Sequence, residues 1–513
     1  MVRHETTGPG TVYLVGAGPG HPGLITRMGY DVLQRCDAVA YDALIPLELI
    51  AALPGRVERY YVGRRAGRHS MPQQDKNHLL VSLALRGLDV VRLKGGDTSF
   101  FAHSSDDVET LTAAGIPVVV IPGVTAASAV AATAGLSITD RRAASWAFFA
   151  TGHGASNCEP IPIPWREVAG LSGGTIVVYM GLSNLEQIAC QLIQGGTPPG
   201  TPCLVVQRAS SGVERVLESN LGDAAAACRR EKLEPPALVV IGEVIRHRHR
   251  VAGRKTGALS GKRVLVTCCA RETERLCGLL RGHGAEPLPY PAFALEEVDD
   301  AEGWSEFGRA AGSGGWCVFT SEIEVHGFVD GLLRHDLDLR TLGRFRIAAL
   351  GERAAAALRG RGLKPDLVSR LPLDEALLRG PGRGGGANNG CVITFLDGTK
   401  PSAPGMENPT GWARIIRLRL FESRPAAWES HWVQELAESP PDYIIFTNPE
   451  AVAGYLQAAG PETARRIAAR SCVISAGSPA TTAAQSEGLR VDLQLQADTP
   501  EALVDIILRR LPA

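Results

Sequence analysis

The sequence predicts an α/β fold made of two successive two-lobed units. Three observations carry this expectation. Short β-type apolar runs alternate with stretches whose apolar residues recur at steps of three and four. In the first half, four of these runs end in short loops rich in glycine and threonine. The second half repeats itself at a constant offset, the mark of two similar lobes. A chain of 513 residues also exceeds what one core supports, so two to four domains are expected.

The opening element is residues 11–23, TVYLVGAGPGHPG. An apolar run over 12–15 breaks into Gly16, Gly18, Gly20 and Gly23, with Pro19 and Pro22 between them. A helical pattern of Leu24, Ile25, Met28, Val32, Leu33 and Cys36 follows. Strand, glycine loop and helix together bring bare backbone amides against a ligand. Gly18, Gly20 and Gly23 meet the spacing G-x-G-x-x-G, and Asp42 lies 19 residues beyond Gly23, where a dinucleotide fold keeps its ribose-binding acid. Pro22 argues the other way, because it removes an amide from the turn that should grip a pyrophosphate. A nucleotide-like ligand stays open at this point.

Further strands follow at 38–41, ending at Asp42, and at 90–93, running into Lys94-Gly95-Gly96-Asp97. Strand 118–121 meets Pro122-Gly123-Val124-Thr125, and 148–150 leads into Thr151-Gly152-His153. A second group at 175–179, 203–206 and 237–241 ends at Met180-Gly181, Gln207-Arg208 and Gly242, with helices over 185–193 and 221–228. It is expected to form its own sheet, leaving a cleft between two lobes. The carboxyl ends of strands in open α/β sheets are where ligands collect. Residues 246–260 (RHRHRVAGRKTGALS) are basic and aperiodic; they read as a solvated linker, or more sharply as a histidine-rich metal or nucleic-acid patch.

A new α/β unit starts at 262–267. Within it Val318-Phe319-Thr320-Ser321 with Val325 matches Ile445-Phe446-Thr447-Asn448 with Val452. Gly351 precedes Gly362 by 11 residues, as Gly477 precedes Gly488. Glu375-Ala376-Leu377 lies 13 beyond Gly362, as Glu501-Ala502-Leu503 lies 13 beyond Gly488, so the offset stays at 126 or 127. Residues 380–389 (GPGRGGGANN) read as a flexible surface loop.

Composition removes several function classes. Apolar residues make up 45% and charged residues 21%, ordinary for a soluble globular protein. A formal net charge of −1 exerts no global pull toward nucleic acid or an anionic membrane. No apolar run approaches the ~20 residues that span a bilayer, and the first ten residues lack the apolar stretch of a signal peptide. The 11 cysteines include no CxxC pair, so buried thiols in a cytoplasmic protein, without a structural metal, are expected. No G-x-S-x-G elbow, Walker A lysine or HExxH occurs, which removes the commoner hydrolases, P-loop ATPases and zincins.

What remains is a cleft chemistry. Arg64, Arg65, Arg68, Arg92, Lys94, Arg141 and Arg142 are expected in loops after strands, where they suit a substrate with many carboxylates or phosphates. Asp42 and Asp97, at strand ends, can hold ribose hydroxyls, accept a proton or face a cation; a turn or N-cap role stays open for both. His153 is a proton carrier or a structural histidine. The repeat half offers Thr320, Ser321, Thr447, Asn448, Gly477, Ser478 and Thr481, a hydrogen-bonding cleft without an evident nucleophile. Such a cleft suits positioning of a polyanion rather than covalent catalysis.

The motifs VGAGPGHPGLIT, YDALI, VGRRAG, VVRLKGGD, IPGVTAASA, ATGH, VVYMGLSNL and PPALVVIGEV occur in order over residues 11–245. This half resembles the tetrapyrrole methylases, specifically uroporphyrinogen-III C-methyltransferase. Residues 261–513, with FTS/FTN, two glycine-turn repeats and twin lobes, resemble uroporphyrinogen-III synthase. The resemblance implies domains at 1–245 and 261–513 joined by a linker at 246–260. It implies a two-lobed methylase fold followed by a two-lobed Rossmann-like or flavodoxin-like synthase fold. It implies S-adenosyl-L-methionine as methyl donor, with S-adenosyl-L-homocysteine as product, held by Pro19, Gly95, Gly96, Asp97, Phe100, Thr125, Ala126, Met180, Ala209 and Ala237. Asp42 matches the family's proposed proton acceptor. The methylase would act twice on uroporphyrinogen III, toward sirohaem and cobalamin; the synthase half would cyclise hydroxymethylbilane without a cofactor. A homodimer through the methyltransferase half is implied, with tetrapyrroles as the only other partners.

Several positions depart from the pattern. Arg64 stands where the family's proton donor is a lysine, and a guanidinium does not release a proton at accessible pH. After GGD, Thr98 and Phe101-Ala102-His103-Ser104-Ser105 replace a proline and a phenylalanine-glycine-arginine-glycine run. The family's threonine-histidine-arginine appears as Thr139-Asp140-Arg141. In the synthase half, Phe421 and Ser423 stand for a tyrosine and a threonine. A catalytically weakened tetrapyrrole-binding scaffold is therefore a second hypothesis, and a nicotinamide oxidoreductase, resting on the glycine spacing alone, a third.

Overall fold

The computed structural model describes residues 8–63, 71–152, 163–249, 257–311, 314–369, 391–397, 400–401, 414–496 and 499–510. Arg64, Arg65, Arg68, His153 and residues 250–256, 375–377 and 380–389 lie outside them. The chain divides into two compact units, residues 1–263 with 280–288, and 264–279 with 289–513. Among the described residues no helix is long and apolar enough to cross a membrane.

The first unit opens with five strands: β1 Val12–Gly16, β2 Ala38–Tyr41, β3 Glu58–Tyr61, β4 Val90–Lys94 and β5 Val118–Ile121. They form a parallel sheet in the order β3-β2-β4-β1-β5. β1, β2 and β4 are near-continuous apolar runs because helices cover both faces of such a sheet. β3 (ERYY) is a half-buried edge strand that its polar composition hid. The helical pattern after the glycine loop resolves into a single 3₁₀ turn, Pro22–Leu24, and an α-helix, Arg27–Arg35, capped by the Thr26 hydroxyl.

The second lobe carries β6 Trp146–Thr151, β7 Gly174–Tyr179, β8 Pro202–Gln207, β9 Arg215–Asn220 and β10 Ala237–Ile241. Their order is β6-β7-β10-β8-β9, with β6 and β7 parallel and the remaining pairs antiparallel. Cys203 and Val205 enter one apolar cluster and Leu204 and Val206 another, the period of two of a sheet covered on both faces. Of the expected linker, His249 donates its amide to the Gly135 carbonyl and Arg248 pairs with Glu218, so this stretch is bonded to the first unit.

The second half holds two sheets. β11 Arg263–Val266, β12 Glu286–Pro289, β20 Tyr443–Phe446, β21 Cys472–Ala476 and β22 Leu493–Leu495 lie in the order β12-β11-β20-β21-β22. Between them in sequence come β13 Phe293–Glu297, β14 Gly315–Phe319, β15 Phe345–Leu350, β16 Leu367–Ser369, β17 Cys391–Asp397, β18 Lys400–Pro401 and β19 Arg414–Pro425. These order as β13-β19-β17-β14-β15-β16, with β18 paired to β17. The internal repeat is physical: the Asp366 carboxylate accepts the Ile347 amide at 2.7 Å, and Asp492 accepts the Val473 amide at 2.9 Å. Gly351 and Gly477 have φ of +88° and +92°, a conformation that excludes most side chains before the following helix.

Candidate functional site

In the first unit three strand ends meet backbone to backbone. A Cβ on Gly123 would stand 2.3 Å from the Gly96 carbonyl oxygen, and one on Gly16 would stand 2.6 Å from the Gly123 nitrogen. Gly18 and Gly96 exchange two amide–carbonyl bonds, at 3.1 and 2.8 Å, which ties the loop after β1 to the loop after β4. Asp97 is buried beside them. One oxygen accepts the Ser99 amide at 2.7 Å and the other the Gly123 amide at 2.8 Å, so its carboxylate braces the loops after β4 and β5. Of the roles open to Asp97 in sequence, the structure displays the turn-forming one. Gly95 lies next to Leu44, just past the end of β2.

The glycine loop does not present its amides as a dinucleotide site requires. The Gly18, His21 and Leu24 amides donate to Gly96 O, Ser210 Oγ and His21 O. The Gly23 amide donates to His21 Nδ1 at 2.9 Å. Burial lowers the His21 imidazole's pKa from its ordinary value, which favours the neutral ring, the form that can accept at a nitrogen. Pro19 and Gly20 cross toward the second lobe, where a Cβ on Gly20 would stand 2.6 Å from the Ala209 oxygen.

From the second lobe, Tyr179 at the end of β7 reaches back. Its hydroxyl is 2.7 Å from Thr125 Oγ1 and accepts the Ala127 amide at 3.3 Å. Thr125 thus does not cap the helix Ala126–Ala134 with its side chain. Phe101 lies against Tyr179 at a ring distance of 4.9 Å, and Phe100 contacts Tyr179 and Phe149 at 6.3 and 5.7 Å. Met180, Arg208 and Ser210 hold φ of +53°, +49° and +62°, strained positions clustered at the ends of β7 and β8. Ala237 begins β10 opposite Gln207, level with these same ends. Pro19, Gly95, Gly96, Asp97, Phe100, Thr125, Ala126, Met180, Ala209 and Ala237 therefore all sit on strand-end loops or the first residue after them. Tyr179 and Phe149, absent from the sequence reading, complete the aromatic surface.

Two expectations about charge need correction. Arg92 and Lys94 are not loop residues at a cleft rim; both are buried within β4. Arg92 Nη2 contacts both oxygens of Asp42 at 2.9 Å, and Nη1 donates to the Leu93 carbonyl at 3.0 Å. Lys94 Nζ lies 2.5 Å from Asp107 Oδ2 and donates to the Ala102 carbonyl at 2.6 Å. Burial lowers the lysine's pKa despite that carboxylate. Arg142 is exposed and grips Asp140, whose carboxyl it holds well below the usual carboxylate range. Asp42 thus stands at the end of β2 with 27% of its side chain exposed and a permanent counter-ion behind it.

In the second half Thr320 and Ser321 end β14 in a capping box. Ser321 Oγ accepts the Glu324 amide at 3.2 Å, while Glu324 accepts from the Thr320 hydroxyl and amide at 2.6 Å. Asn448 caps the helix Pro449–Ala459 in the same way, accepting the Ala451 amide at 2.8 Å. Thr447 Oγ1 is buried with no hydrogen-bond partner. Thr481 is buried on Gly477 O and Ser475 Oγ, whereas Ser478 accepts a bond from exposed Gln494. Thr447, Asn448, Gly477 and Ser478 share one pair of neighbouring strand ends, β20 and β21; Thr320 and Ser321 belong to the other sheet. Phe421 packs its ring against Gly327, which leaves no room for a side chain there.

Comparison with known proteins agrees with this division. Residues 11–225 match the family described as Tetrapyrrole (Corrin/Porphyrin) Methylases, and residues 274–505 match Uroporphyrinogen-III synthase HemD. The siroheme synthase of Gluconacetobacter diazotrophicus is 43% identical over 239 residues, 47% of this chain and 50% of that protein. The chain spans about half the length of such siroheme synthases. Among solved structures, the uroporphyrin III C-methyl transferase of Thermus thermophilus is 37% identical over 46% of this chain and all of that one, with a TM-score of 0.40. The porphyrin biosynthesis protein HemD of Ruminiclostridium josui is 30% identical over 448 residues, 87% of this chain and 88% of that protein. The two family matches make the chain a tetrapyrrole methylase domain followed by a uroporphyrinogen-III synthase domain. The chain belongs to the porphyrin-biosynthesis family that the Ruminiclostridium josui protein represents, with both domains in the same chain.

Proposed function

We propose that the chain is a bifunctional tetrapyrrole enzyme, cyclising hydroxymethylbilane to uroporphyrinogen III and methylating that product twice. The observation that carries the methylase reading is the convergence of bare strand-end backbone with an aromatic surface. Gly16, Gly96 and Gly123 leave no side chains at the ends of β1, β4 and β5. Phe100 and Phe101, in the loop after β4, cluster with Phe149 and Tyr179 of the second lobe, and Tyr179 bonds Thr125 in the loop after β5. Such a cradle fits a donor with a nucleoside and an amino-acid tail, and S-adenosylmethionine, when bound, supplies an electrophilic methyl group on a sulfonium.

The residues that would hold it are Pro19, Gly95, Gly96, Asp97, Phe100, Thr125, Ala126, Met180, Ala209 and Ala237. Asp97 acts by bracing two loops. The start of the helix Ala126–Ala134, which Thr125 leaves without a side-chain cap and whose Ala127 amide is given to Tyr179, favours a negatively charged group through its dipole. Asp42, held by Arg92, accepts the proton that the macrocycle releases. Arg64 pairs with a substrate carboxylate rather than donating a proton. In the second half the hydroxyls and amides at the ends of β14, β20 and β21 orient the linear substrate; no cofactor is called for there. We place the methylase at 1–245, a connection at 246–260 and the synthase at 261–513, in a cytoplasmic homodimer formed through the methylase.

The test supplies hydroxymethylbilane to purified protein with and without S-adenosylmethionine and follows products by absorbance and mass. Uroporphyrinogen III is expected in both arms, and a product heavier by two methyl groups with the donor. Uncyclised or unmethylated material at stoichiometric protein would favour a tetrapyrrole-binding scaffold instead.

A further inference from the structure

We infer that Arg353 is a carboxylate-binding residue of the synthase half, and that Glu272 fills its site while no substrate is bound. This rests on the synthase reading above. Arg353 lies in the first turn of the helix Glu352–Gly360, directly after β15 and Gly351. β15 pairs with β14, whose end carries Thr320 and Ser321, so Arg353 follows the strand end next to theirs in the same sheet. Glu272 lies in the first turn of the helix Ala270–Gly282, which follows β11 in the other sheet. Arg353 Nη2 contacts Glu272 Oε1 at 2.6 Å, an ion pair between the strand-end helices of the two lobes.

Three features mark the pair as provisional. First, a cation in a first helical turn opposes the helix dipole, so Arg353 is not placed to stabilise its own helix. Second, the contact uses one guanidinium nitrogen and one carboxylate oxygen, while Arg353 Nε is buried without a hydrogen-bond partner. A ligand carboxylate that met Nε and Nη2 together would make the bidentate fork that Glu272 does not. Third, Glu272 loses little on release: its own helix N-terminus favours a carboxylate, and its side chain is already 20% exposed. Glu272 thus stands in for one carboxylate of a linear tetrapyrrole, and substrate binding exchanges one acid for another.

The test measures initial rates of hydroxymethylbilane conversion to uroporphyrinogen III by the full-length chain carrying Glu272→Gln, Arg353→Gln, Arg353→Lys or the Gln/Gln pair, with the isomer identified chromatographically. Glu272→Gln is expected to lower KM three- to tenfold. Arg353→Gln should raise KM at least tenfold, and Arg353→Lys, which keeps the charge and loses the fork, should fall between. Glu272→Gln should have no effect in the Arg353→Gln background. An unchanged or raised KM in Glu272→Gln, with lowered thermal stability, would make the pair a structural tie and overturn the proposal. So would a Glu272→Gln effect that persists without Arg353. A wild-type chain that forms no isomer III would overturn the synthase reading itself, which separates the two failures. Arg353→Lys keeps the experiment decisive if Arg353→Gln does not fold.

Discussion

The sharpest energetic prediction concerns Lys94 and Asp107, whose side chains are 4% and 1% exposed. Lys94→Met keeps the unbranched stem and removes the charge. Asp107 then keeps one bond, from Gln73 Nε2 at 2.6 Å, and the Ala102 carbonyl loses its donor. Removing one partner of a buried pair costs about 3–5 kcal/mol, because the other charge stays in a medium that solvates it poorly. The surviving Gln73 bond puts the expected loss near the lower end, at about 3 kcal/mol. For a unit of this size each kcal/mol lowers the midpoint by about 2–4 °C, so a fall of roughly 6–12 °C is expected. Thermal unfolding should be followed on the first unit's own transition, since two units need not melt together. Lys94→Met/Asp107→Leu should recover most of the loss, because an apolar pair of similar volume replaces two buried charges. A single variant that loses less than about 1 kcal/mol, or a double variant as unstable as the single, would refute the account. The consequence for function is local: Ala102 and Ser104 are the points where Lys94 holds the loop that presents Phe100 and Phe101.

Asp42→Asn should retain donor binding and lose methyl transfer; calorimetry with S-adenosylhomocysteine and the product assay separate the two, and unchanged turnover would remove Asp42 as proton acceptor. Arg64→Lys should preserve or raise the methylation rate, whereas a large loss would mean that the guanidinium fork is needed for substrate carboxylates. Gly123→Ala places a Cβ 2.3 Å from one backbone atom and 2.8 Å from another, neither of which yields cheaply. It should cost about 1–3 kcal/mol and abolish the calorimetric response to S-adenosylhomocysteine. Wild-type affinity in that variant would show that these strand ends do not form the donor site.

The strands were legible wherever apolar runs met glycine. β2, β5 and β10 fall on the residues expected from their alternation with loops: β2 and β10 because a doubly covered sheet writes its buried strands as apolar runs, and β5, a half-buried edge strand, because its residues are all β-branched (VVVI). β3 and β9 were not legible. Both are edge strands, and ERYY or RVLESN carries no run that separates a strand from a polar loop. The candidate site was half legible. Glycines, Asp42 and Asp97 announce strand ends in one dimension. The burial of Arg92 and Lys94 could not be read, because a charged residue inside an apolar strand looks like one just past its end until its partner is known. That partner, Asp107, lies 13 residues on, in the next helix. Tyr179 was hidden for a similar reason: its hydroxyl bonds to Thr125, 54 residues away in the other lobe.

The repeat in the second half deserves a topological explanation, since it covers only part of each lobe. The orders β12-β11-β20-β21-β22 and β19-β17-β14-β15-β16 are one arrangement reached by two chain paths. Both follow the flavodoxin order 2-1-3-4-5, with the first lobe starting at its first strand and the other starting at its third. Sequence similarity survives over the third to fifth strands because there both paths run from β-strand to helix to β-strand in the same sense. The inserted lobe requires two crossings, and these lie side by side: the Ala426 amide donates to Ala292 O at 2.9 Å and Trp428 Nε1 to Pro291 O at 2.8 Å. Tyr290 packs against Trp428 and Trp432 at ring distances of 5.2 and 5.3 Å, which stiffens the crossing. Apart from these two bonded crossings, the Glu272–Arg353 pair is a separate contact between the strand-end helices of the two lobes. A partly exposed ion pair contributes of order 1 kcal/mol, small enough for one substrate carboxylate to replace it.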